Sequence, residues 1–298
     1  MIQPQLTPYG GLRVQLGSAC WTLAEEGCAQ VSAAWETSES GPASADRTVL
    51  LIPGGLNAAR SYAELMAQPA LSGVRLVAVT LPGHAGAPPP EDFSIETYAR
   101  LAADLAADLC CDAVAGFSIG ATVALEMAAS GAFRGPVVLL GISLSPGDEP
   151  AFLRALNWLG GVLGSLPCAV MLKLISLATR QARVSADRRA QLLADFRRND
   201  PRTMRKIFRG YVGYLSRYDS PAARLCDAGV PAWVVHAEQG DGGLTPEERR
   251  TLEACPGTTM VTIPGTSFFM PNDEPERVAS VLVEALGHAA ERRDRPRR

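Results

Sequence analysis

Residues 113–128 read AVAGFSIGATVALEMA, and this stretch decides the fold prediction. The apolar residues that begin it have the composition of a buried strand, and the alanine-rich residues that end it favour a helix. Between them stands the pattern Gly-x-Ser-x-Gly, centred on Ser118. In this context the pattern is typical of a tight strand-to-helix turn that holds the serine hydroxyl clear of the sheet. Gly116 and Gly120 let neighbouring segments pass close to such a strained turn.

Strand and helix patterns alternate on both sides of this turn. Short apolar runs bounded by turn residues predict buried parallel strands at 48–52, 75–79, 113–115, 137–141, 232–235 and 260–263. Apolar residues at three-to-four spacing predict helices at 57–68, 94–108, 118–130, 245–254 and 274–286. Two earlier stretches, 12–21 and 28–35, predict an antiparallel hairpin. The alternation predicts an α/β fold with a doubly wound, mostly parallel sheet.

The alternation stops in the middle of the chain. Residues 146–224 have no convincing strand pattern and instead predict helices at 152–163, 169–180, 186–198 and 202–218. We therefore expect a core made of residues 1–145 and 225–298, with an inserted helical cap, or lid, at 146–224. The first half of this segment is apolar and the second half is rich in arginine. An apolar lid predicts a hydrophobic ligand, and the arginines favour a solvated face.

Composition excludes several classes of function. The 298 residues are 47% hydrophobic, which suffices for a large core. The formal net charge is -3 with interspersed signs, so the chain lacks the basic face that nucleic acid binding requires. Seven cysteines without Cys-x-x-Cys spacing predict neither a disulfide framework nor a zinc site. We expect reduced thiols, no metal and no cofactor.

Two features bear on the compartment. The first residues lack the positive start and the apolar stretch of a secretory signal. A long uncharged run, 155–172, is interrupted by Gly160, Gly161, Gly164 and Pro167, which argues against a membrane span. We expect a cytoplasmic protein without a membrane span, whose partner is a hydrophobic small molecule or acyl substrate. The sequence leaves the oligomeric state open.

Three segments together resemble the α/β-hydrolase superfamily, in particular its esterase, lactonase and type II thioesterase-like members. They are Pro-Gly-Gly-Leu at 53–56, Leu-Pro-Gly-His-Ala-Gly at 81–86 and the serine turn at 116–120. The resemblance extends over about 47–145 and 225–287 and implies an α/β-hydrolase fold. It also implies that Ser118 is a nucleophile in a nucleophile elbow. The backbone N–H groups of Leu56 and Ile119 would then form an oxyanion hole.

A serine nucleophile needs a general base and an acid that orients the base. Asp241, in the Gly-rich turn after the predicted strand 232–235, fits the acid, and a purely structural role in that turn is the alternative. Members of the superfamily typically carry the histidine in a Gly-x-x-His stretch after the last strand. Here residues 265–268 read Gly-Thr-Ser-Phe, so Phe268 occupies the histidine position and the triad is atypical.

The three histidines are His84, His236 and His288. His84 matches a position that is usually structural in the superfamily, His236 ends a predicted buried strand, and His288 ends the last helix. Whether His84 or His236 substitutes as the base stays open. Removing the histidine of a triad costs about 10⁶ in turnover, whereas the oxyanion hole and binding alone leave roughly 10³ to 10⁴ over water.

Three hypotheses follow from the missing base. The first is an atypical hydrolase that acts on an ester, thioester or lactone. The second is a non-hydrolytic isomerase, epimerase or cyclase that needs only a polarised carbonyl. The third is a catalytically silent ligand-binding protein that retains the fold.

Overall fold

The computed structural model describes residues 5–6, 12–16, 19–23, 35–149, 151–178, 184–239, 244–266 and 269–294. Its strands are β1 (Gln5–Leu6), β2 (Leu12–Leu16), β3 (Ala19–Leu23), β4 (Glu36–Ser40), β5 (Thr48–Ile52), β6 (Arg75–Thr80), β7 (Ala113–Phe117), β8 (Val137–Leu140), β9 (Ala232–Gln239) and β10 (Thr258–Thr266). Its α-helices are α1 (Ala63–Met66), α2 (Ile95–Asp108), α3 (Ile119–Ala129), α4 (Ala151–Leu163), α5 (Leu166–Ala178), α6 (Ala186–Arg197), α7 (Pro201–Leu215), α8 (Pro221–Ala228), α9 (Pro246–Glu253), α10 (Met270–Asp273) and α11 (Pro275–Asp294).

A seven-stranded sheet in the order β10-β9-β8-β7-β5-β6-β4 forms the centre of the molecule. All neighbours in it are parallel except β4, which runs antiparallel to β6 at the edge. Every residue of β5 is buried, as expected for a strand covered on both faces. The prediction of a doubly wound, mostly parallel sheet is confirmed, and the six predicted strands match β5 to β10.

Helices bury apolar side chains on both faces of this sheet. One core cluster joins the sheet to α2, α3 and α8, and residues of the helices between β8 and β9 belong to it as well. The second cluster joins the other face to α1, α10 and α11. The carboxyl ends of β5, β6, β7, β8 and β9 therefore meet along one edge of a sheet that is packed on both sides, which is the usual place for a site in this architecture.

Helices α4 to α8 follow one another between β8 and β9, and the described residues of this segment contain no strand. The sequence sets the starts of α6, α7 and α8. Ser185, Asp200 and Ser220 each accept a hydrogen bond from an amide in the first turn of the helix that follows. Pro201 and Pro221 occupy the first helical position, where a missing N–H costs nothing. None of the helices in the described part of the chain has the length and hydropathy needed to cross a membrane.

Three local predictions are wrong. The stretch 12–21 is not one strand, since β2 pairs with β3 and Leu12 lies opposite Leu23. Gly17-Ser18 separates the two strands, and we underestimated it as a turn signal. Residues 28–34 of the predicted hairpin lie outside the described residues. The predicted helix at 57–68 is broken into a 3₁₀ turn and the short α1.

The third correction concerns the cysteines. Cys226 of α8 and Cys255, which follows α9, are joined in a disulfide with their Cα atoms 5.5 Å apart. The sequence had predicted reduced thiols. The bridge joins a residue of α8 to one just after α9, 29 positions along the chain. No short Cys motif predicts such a pairing.

Candidate functional site

Ser118 occupies a strained turn between β7 and α3. Its backbone angles are φ 52 and ψ -119, a conformation that residues other than glycine rarely adopt. The Ser118 N–H donates to the carbonyl of Leu140 at 2.9 Å, and the Ser118 carbonyl accepts from the amides of Ala121 and Thr122. Strain of this kind costs about 1–3 kcal/mol and persists only where the surroundings enforce it. The turn has the geometry typical of a nucleophile elbow.

Two glycines make this turn possible. A Cβ on Gly116 would lie 2.1 Å from the carbonyl oxygen of Gly120, so the strand and the helix approach within the turn itself. A Cβ on Gly120 would lie 2.2 Å from the carbonyl oxygen of Ile52, at the end of the neighbouring strand β5. The Gly-x-Ser-x-Gly pattern is therefore required by two backbone contacts.

The loop after β5 packs directly against the start of α3. Leu56 in this loop has a left-handed backbone with φ 67, and a Cβ on Gly55 would lie 2.6 Å from Cδ1 of Ile119. The Ile119 N–H belongs to the first turn of α3, where amides have no acceptor within the helix. The segments that carry the two predicted oxyanion donors, Leu56 and Ile119, are thus in contact.

Asn199, between α6 and α7, connects two loops at this edge of the sheet. Its Nδ2 donates to the carbonyl oxygen of Leu56 at 2.9 Å, and its Oδ1 accepts from the amide of Ala85 at 2.7 Å. Leu56 and Ala85 both have positive φ, and Asn199 is only 5% exposed. The Asn199 side chain therefore fixes the backbones of Leu56 and Ala85 through two hydrogen bonds. Our sequence analysis missed it, because an isolated asparagine after a helix carries no signal of so distant a contact.

Charged side chains of α6 anchor the segment that follows Leu56. Arg188 donates to the Glu64 carboxylate at 2.6 Å, and Arg60 forms an ion pair with the buried Asp195. From the other side, Asn272 of α10 donates to Glu64 at 2.7 Å and to the carbonyl of Ser61 at 2.7 Å. The loop that carries Leu56 is therefore fixed at its end by helices from two separate parts of the chain.

His84 is a buried structural residue. Its Nδ1 lies 3.2 Å from the carbonyl oxygen of Pro82, and its ring packs edge-on against Tyr98. Burial lowers the pKa of His84 to about 4, so the imidazole is neutral at pH 7. No hydrogen bond joins His84 to Ser118.

His236 lies in β9 and is 2% exposed. Strand β9 is separated by β8 from β7, the strand that leads to Ser118, so His236 lies two strands away from that residue. The carbonyl of the preceding residue, Val235, accepts a hydrogen bond from the amide of Gly141 at 2.8 Å. In the described part of the chain, the Ser118 hydroxyl bonds to neither His236 nor His84. The structure thus brings together Ser118, Ile119 and Leu56 without an imidazole on the serine.

The two remaining predicted site residues, Asp241 and Phe268, lie outside the described residues. The chain on either side of 267–268 has defined contacts. The Gly265 N–H donates to Oε2 of Glu238 at 3.0 Å, and the ring of Phe269 lies 6.5 Å from the ring of Phe117, the residue before Ser118. Phe269 therefore lies close to the residue that precedes Ser118.

A buried polar pair joins α7 to the chain between β8 and α4. The Tyr211 hydroxyl of α7 donates to Oε1 of Glu149 at 2.6 Å, and burial raises the pKa of Tyr211 well above its ordinary value. Our sequence analysis missed this pair as well, because nothing in the pattern links positions 62 residues apart. Among the described residues, no cluster of His, Cys, Asp and Glu could hold a metal ion.

Comparison with known proteins decides the family. The model of the alpha/beta hydrolase family matches residues 49–281. The chain belongs to the α/β-hydrolase family. No curated protein matches it.

Solved structures agree with this assignment of the fold. A hydrolase from Oleispira antarctica, olei00960, is 15% identical with a TM-score of 0.67, and the match covers 87% of this chain and 97% of that one. A thermophilic esterase from Thermogutta terrifontis is 17% identical, with a TM-score of 0.64 and coverage of 86% and 93%. The thioesterase domain from the curacin biosynthetic pathway is 17% identical, with a TM-score of 0.63 and coverage of 95% and 99%. At such identities the likeness establishes the fold and leaves the chemistry to the residues of the site.

Proposed function

We propose that this α/β-hydrolase-family protein is an enzyme that acts on a hydrophobic carbonyl compound of the ester, thioester or lactone type. Ser118 is its reactive hydroxyl, and the N–H groups of Leu56 and Ile119 bind the carbonyl oxygen as negative charge develops on it. The observation that carries the proposal is the strained backbone of Ser118 at φ 52, enforced by two glycine contacts. Strain that is maintained at a loop edge supports a functional role for the residue that bears it.

The oxyanion hole supplies most of the catalysis in this proposal. Backbone dipoles fixed by the fold stabilise a developing oxyanion without reorganising, and one such donor is worth about 10²–10³ in turnover. Asn199 is a positioning residue, because its bond to the Leu56 carbonyl fixes the peptide planes of that strained residue. Asp241 is proposed as the acid of the family's triad, and Phe268 as the apolar residue in place of its histidine.

Helices α4 to α7 act as the cap in this proposal, within the boundaries 146–224, over a core of 1–145 and 225–298. The ion pairs of α6 with Arg60 and Glu64 and the bonds of Asn199 support this role, since they join the inserted segment to the loop of Leu56. A cap of apolar helices over the edge of the sheet suits a hydrophobic small molecule or acyl group.

The test is turnover of a panel of esters, thioesters and lactones by the wild type and by Ser118→Ala. We expect slow turnover that Ser118→Ala reduces by about 10²-fold or more. The matched control is Ser130→Ala at the other end of α3, which we expect to keep the wild-type rate. Equal rates in wild type and Ser118→Ala would contradict the nucleophile assignment.

A second candidate is an isomerase, epimerase or cyclase that uses only the polarised carbonyl. The phenylalanine at 268 favours it, because a ring without an exchangeable proton suits chemistry in which water is not activated. Product analysis separates the two: rearranged products of unchanged mass support the second candidate, and hydrolysed products support the first. Tight binding of these compounds without any product would instead support a silent ligand-binding protein.

A further inference from the structure

The hairpin of α4 and α5 exposes an unusual amount of apolar surface. Six large apolar side chains on it are about half exposed or more: Trp158, Val162, Leu163, Leu166, Val170 and Leu174. We call them the apolar face. Trp158 is 71% exposed and Val162 is 72% exposed. In the rest of the described chain, only Val283 is a comparably exposed large apolar residue.

The residues of the apolar face form one stripe on each helix. Trp158 and Val162 are four positions apart on α4, and Leu166, Val170 and Leu174 repeat at the same spacing on α5. This spacing places them on a single side of each helix. A contiguous stripe of this kind marks an interaction surface, in contrast to the isolated exposed apolar residues found on every protein.

The charges of this region all have one sign. Residues 151–178 contain no Asp or Glu, but they contain Arg154 and Lys173, in a chain with a formal net charge of -3. The hairpin is therefore a cationic segment on an acidic protein. Charge of this distribution favours an anionic partner.

Two further cationic side chains, Arg205 and Arg209, line a cavity beside the hairpin. A cavity of about 350 Å³ lies between α4, α5 and α7. Its lining includes Leu156, Cys168, Phe208, Arg205 and Arg209. Neither Arg205 nor Arg209 forms an ion pair with any residue that the structure describes. Two uncompensated guanidinium groups thus lie beside an apolar wall, where phosphate or carboxylate groups would be bound.

The charges also argue against a second copy of the chain as the occupant. A symmetric dimer would place the same cationic surface against itself, which is unfavourable. An anionic lipid surface matches both properties, because apolar side chains and tryptophan enter the interface while Arg and Lys contact the headgroups. Each helix has 13 residues, too few to span a bilayer but sufficient to lie in its interface.

We propose that the apolar face docks on an anionic lipid bilayer, with the α4–α5 hairpin lying in the interface and Arg205 and Arg209 binding headgroup phosphates. This inference does not depend on the chemistry of Ser118. It identifies a membrane-surface interaction of a protein whose described helices do not cross a membrane.

Sedimentation of the full chain with lipid vesicles tests the proposal. We expect binding to vesicles of phosphatidylcholine mixed with phosphatidylglycerol, weak binding to phosphatidylcholine alone, and loss of binding at high salt. Val162→Asp combined with Val170→Asp should weaken binding by about tenfold or more. Val283→Asp, an equally apolar exposed position on α11, is the matched control and should bind like the wild type.

The arginines are tested in the same assay. Arg205→Gln combined with Arg209→Gln should weaken binding to the anionic vesicles by about tenfold or more. Arg249→Gln combined with Arg277→Gln removes the same charge elsewhere on the protein and should have a much smaller effect. Circular dichroism spectra that match the wild type would show that each variant is folded.

Three results would overturn the proposal. The wild type would sediment with neither kind of vesicle, or the control variants would lose as much binding as the apolar-face variants. Alternatively, the wild type would ignore vesicles and form a dimer that Val162→Asp with Val170→Asp dissociates. That last result would assign the face to contact between copies of the chain.

Discussion

The two halves of the candidate site differ in how they are supported. The proposed oxyanion half consists of Leu56, Ser118 and Ile119, and the segments that carry these residues are held by glycine contacts, a buried asparagine and two residues with positive φ. The base half is defined by Phe268 in the sequence and by the absence of a hydrogen bond from either His84 or His236 to Ser118 in the described chain. The fold thus maintains costly strain at the proposed oxyanion half, while neither His84 nor His236 bonds to the serine in the described chain. In the proposed site, electrostatic assistance and base assistance are therefore separable.

The largest expected effect comes from restoring the base half. Phe268→His introduces an imidazole at the sequence position where the superfamily carries one, which the proposed site lacks. We expect Ser118-dependent ester hydrolysis to rise by about 10²-fold or more. Steady-state rates with the best ester of the panel measure this effect.

Two controls accompany Phe268→His. Phe269→His moves the same imidazole by one residue and should not raise the rate, and Phe268→His combined with Ser118→Ala should be inactive. A variant Phe268→His that is no faster than the wild type would show that the base half is not the missing component.

The next effect concerns the oxyanion half. Gly120→Ala forces a Cβ against the carbonyl oxygen of Ile52, where only 2.2 Å is free. We expect the free energy of unfolding to fall by about 3 kcal/mol. Gly213→Ala in α7, where nothing lies within 4 Å of the added Cβ, should raise it by about 0.5–1 kcal/mol. Urea denaturation compares the two, and a tolerated Gly120→Ala would contradict the close approach of β5 and α3.

A smaller effect is expected from the side chain that connects the cap to the oxyanion half. Asn199→Ala leaves the Leu56 carbonyl without its donor, and we expect kcat to fall about tenfold with little change in KM. Asp195→Asn, at a residue of α6, weakens the ion pair with Arg60 and leaves the hydrogen bond from Asn199 to Leu56 in place. This variant should therefore lower the free energy of unfolding with a much smaller effect on kcat. Equal losses of kcat in the two variants would mean that Asn199 is structural only.

Much of the fold could be predicted because the signals are local. The apolar runs of β5 to β10 and the capping serine of α2 depend on residues close together in the chain. Gly116, Ser118 and Gly120 were found for the same reason, since one turn requires all three. The division of 12–21 into two strands was missed because only two residues, Gly17 and Ser18, stand between β2 and β3.

The parts that could not be predicted depend on contacts between distant segments. Asn199 reaches Leu56 across 143 positions, and Tyr211 reaches Glu149 across 62. Each is a common polar residue whose role is defined only when the helices pack. The exposure of Trp158 and Val162 could not be predicted either. The sequence pattern of an apolar helix is the same whether its apolar face is buried or exposed to solvent.

The most direct test of the central claim is whether any native histidine serves Ser118. The rate of Ser118-dependent ester turnover is measured for the wild type, His84→Gln and His236→Gln, each normalised to folded protein. The account predicts that both variants stay within about twofold of the wild type, because neither imidazole bonds to the serine hydroxyl. A loss in His236→Gln or His84→Gln as large as that in Ser118→Ala would contradict it and would make this protein a triad enzyme with a relocated base.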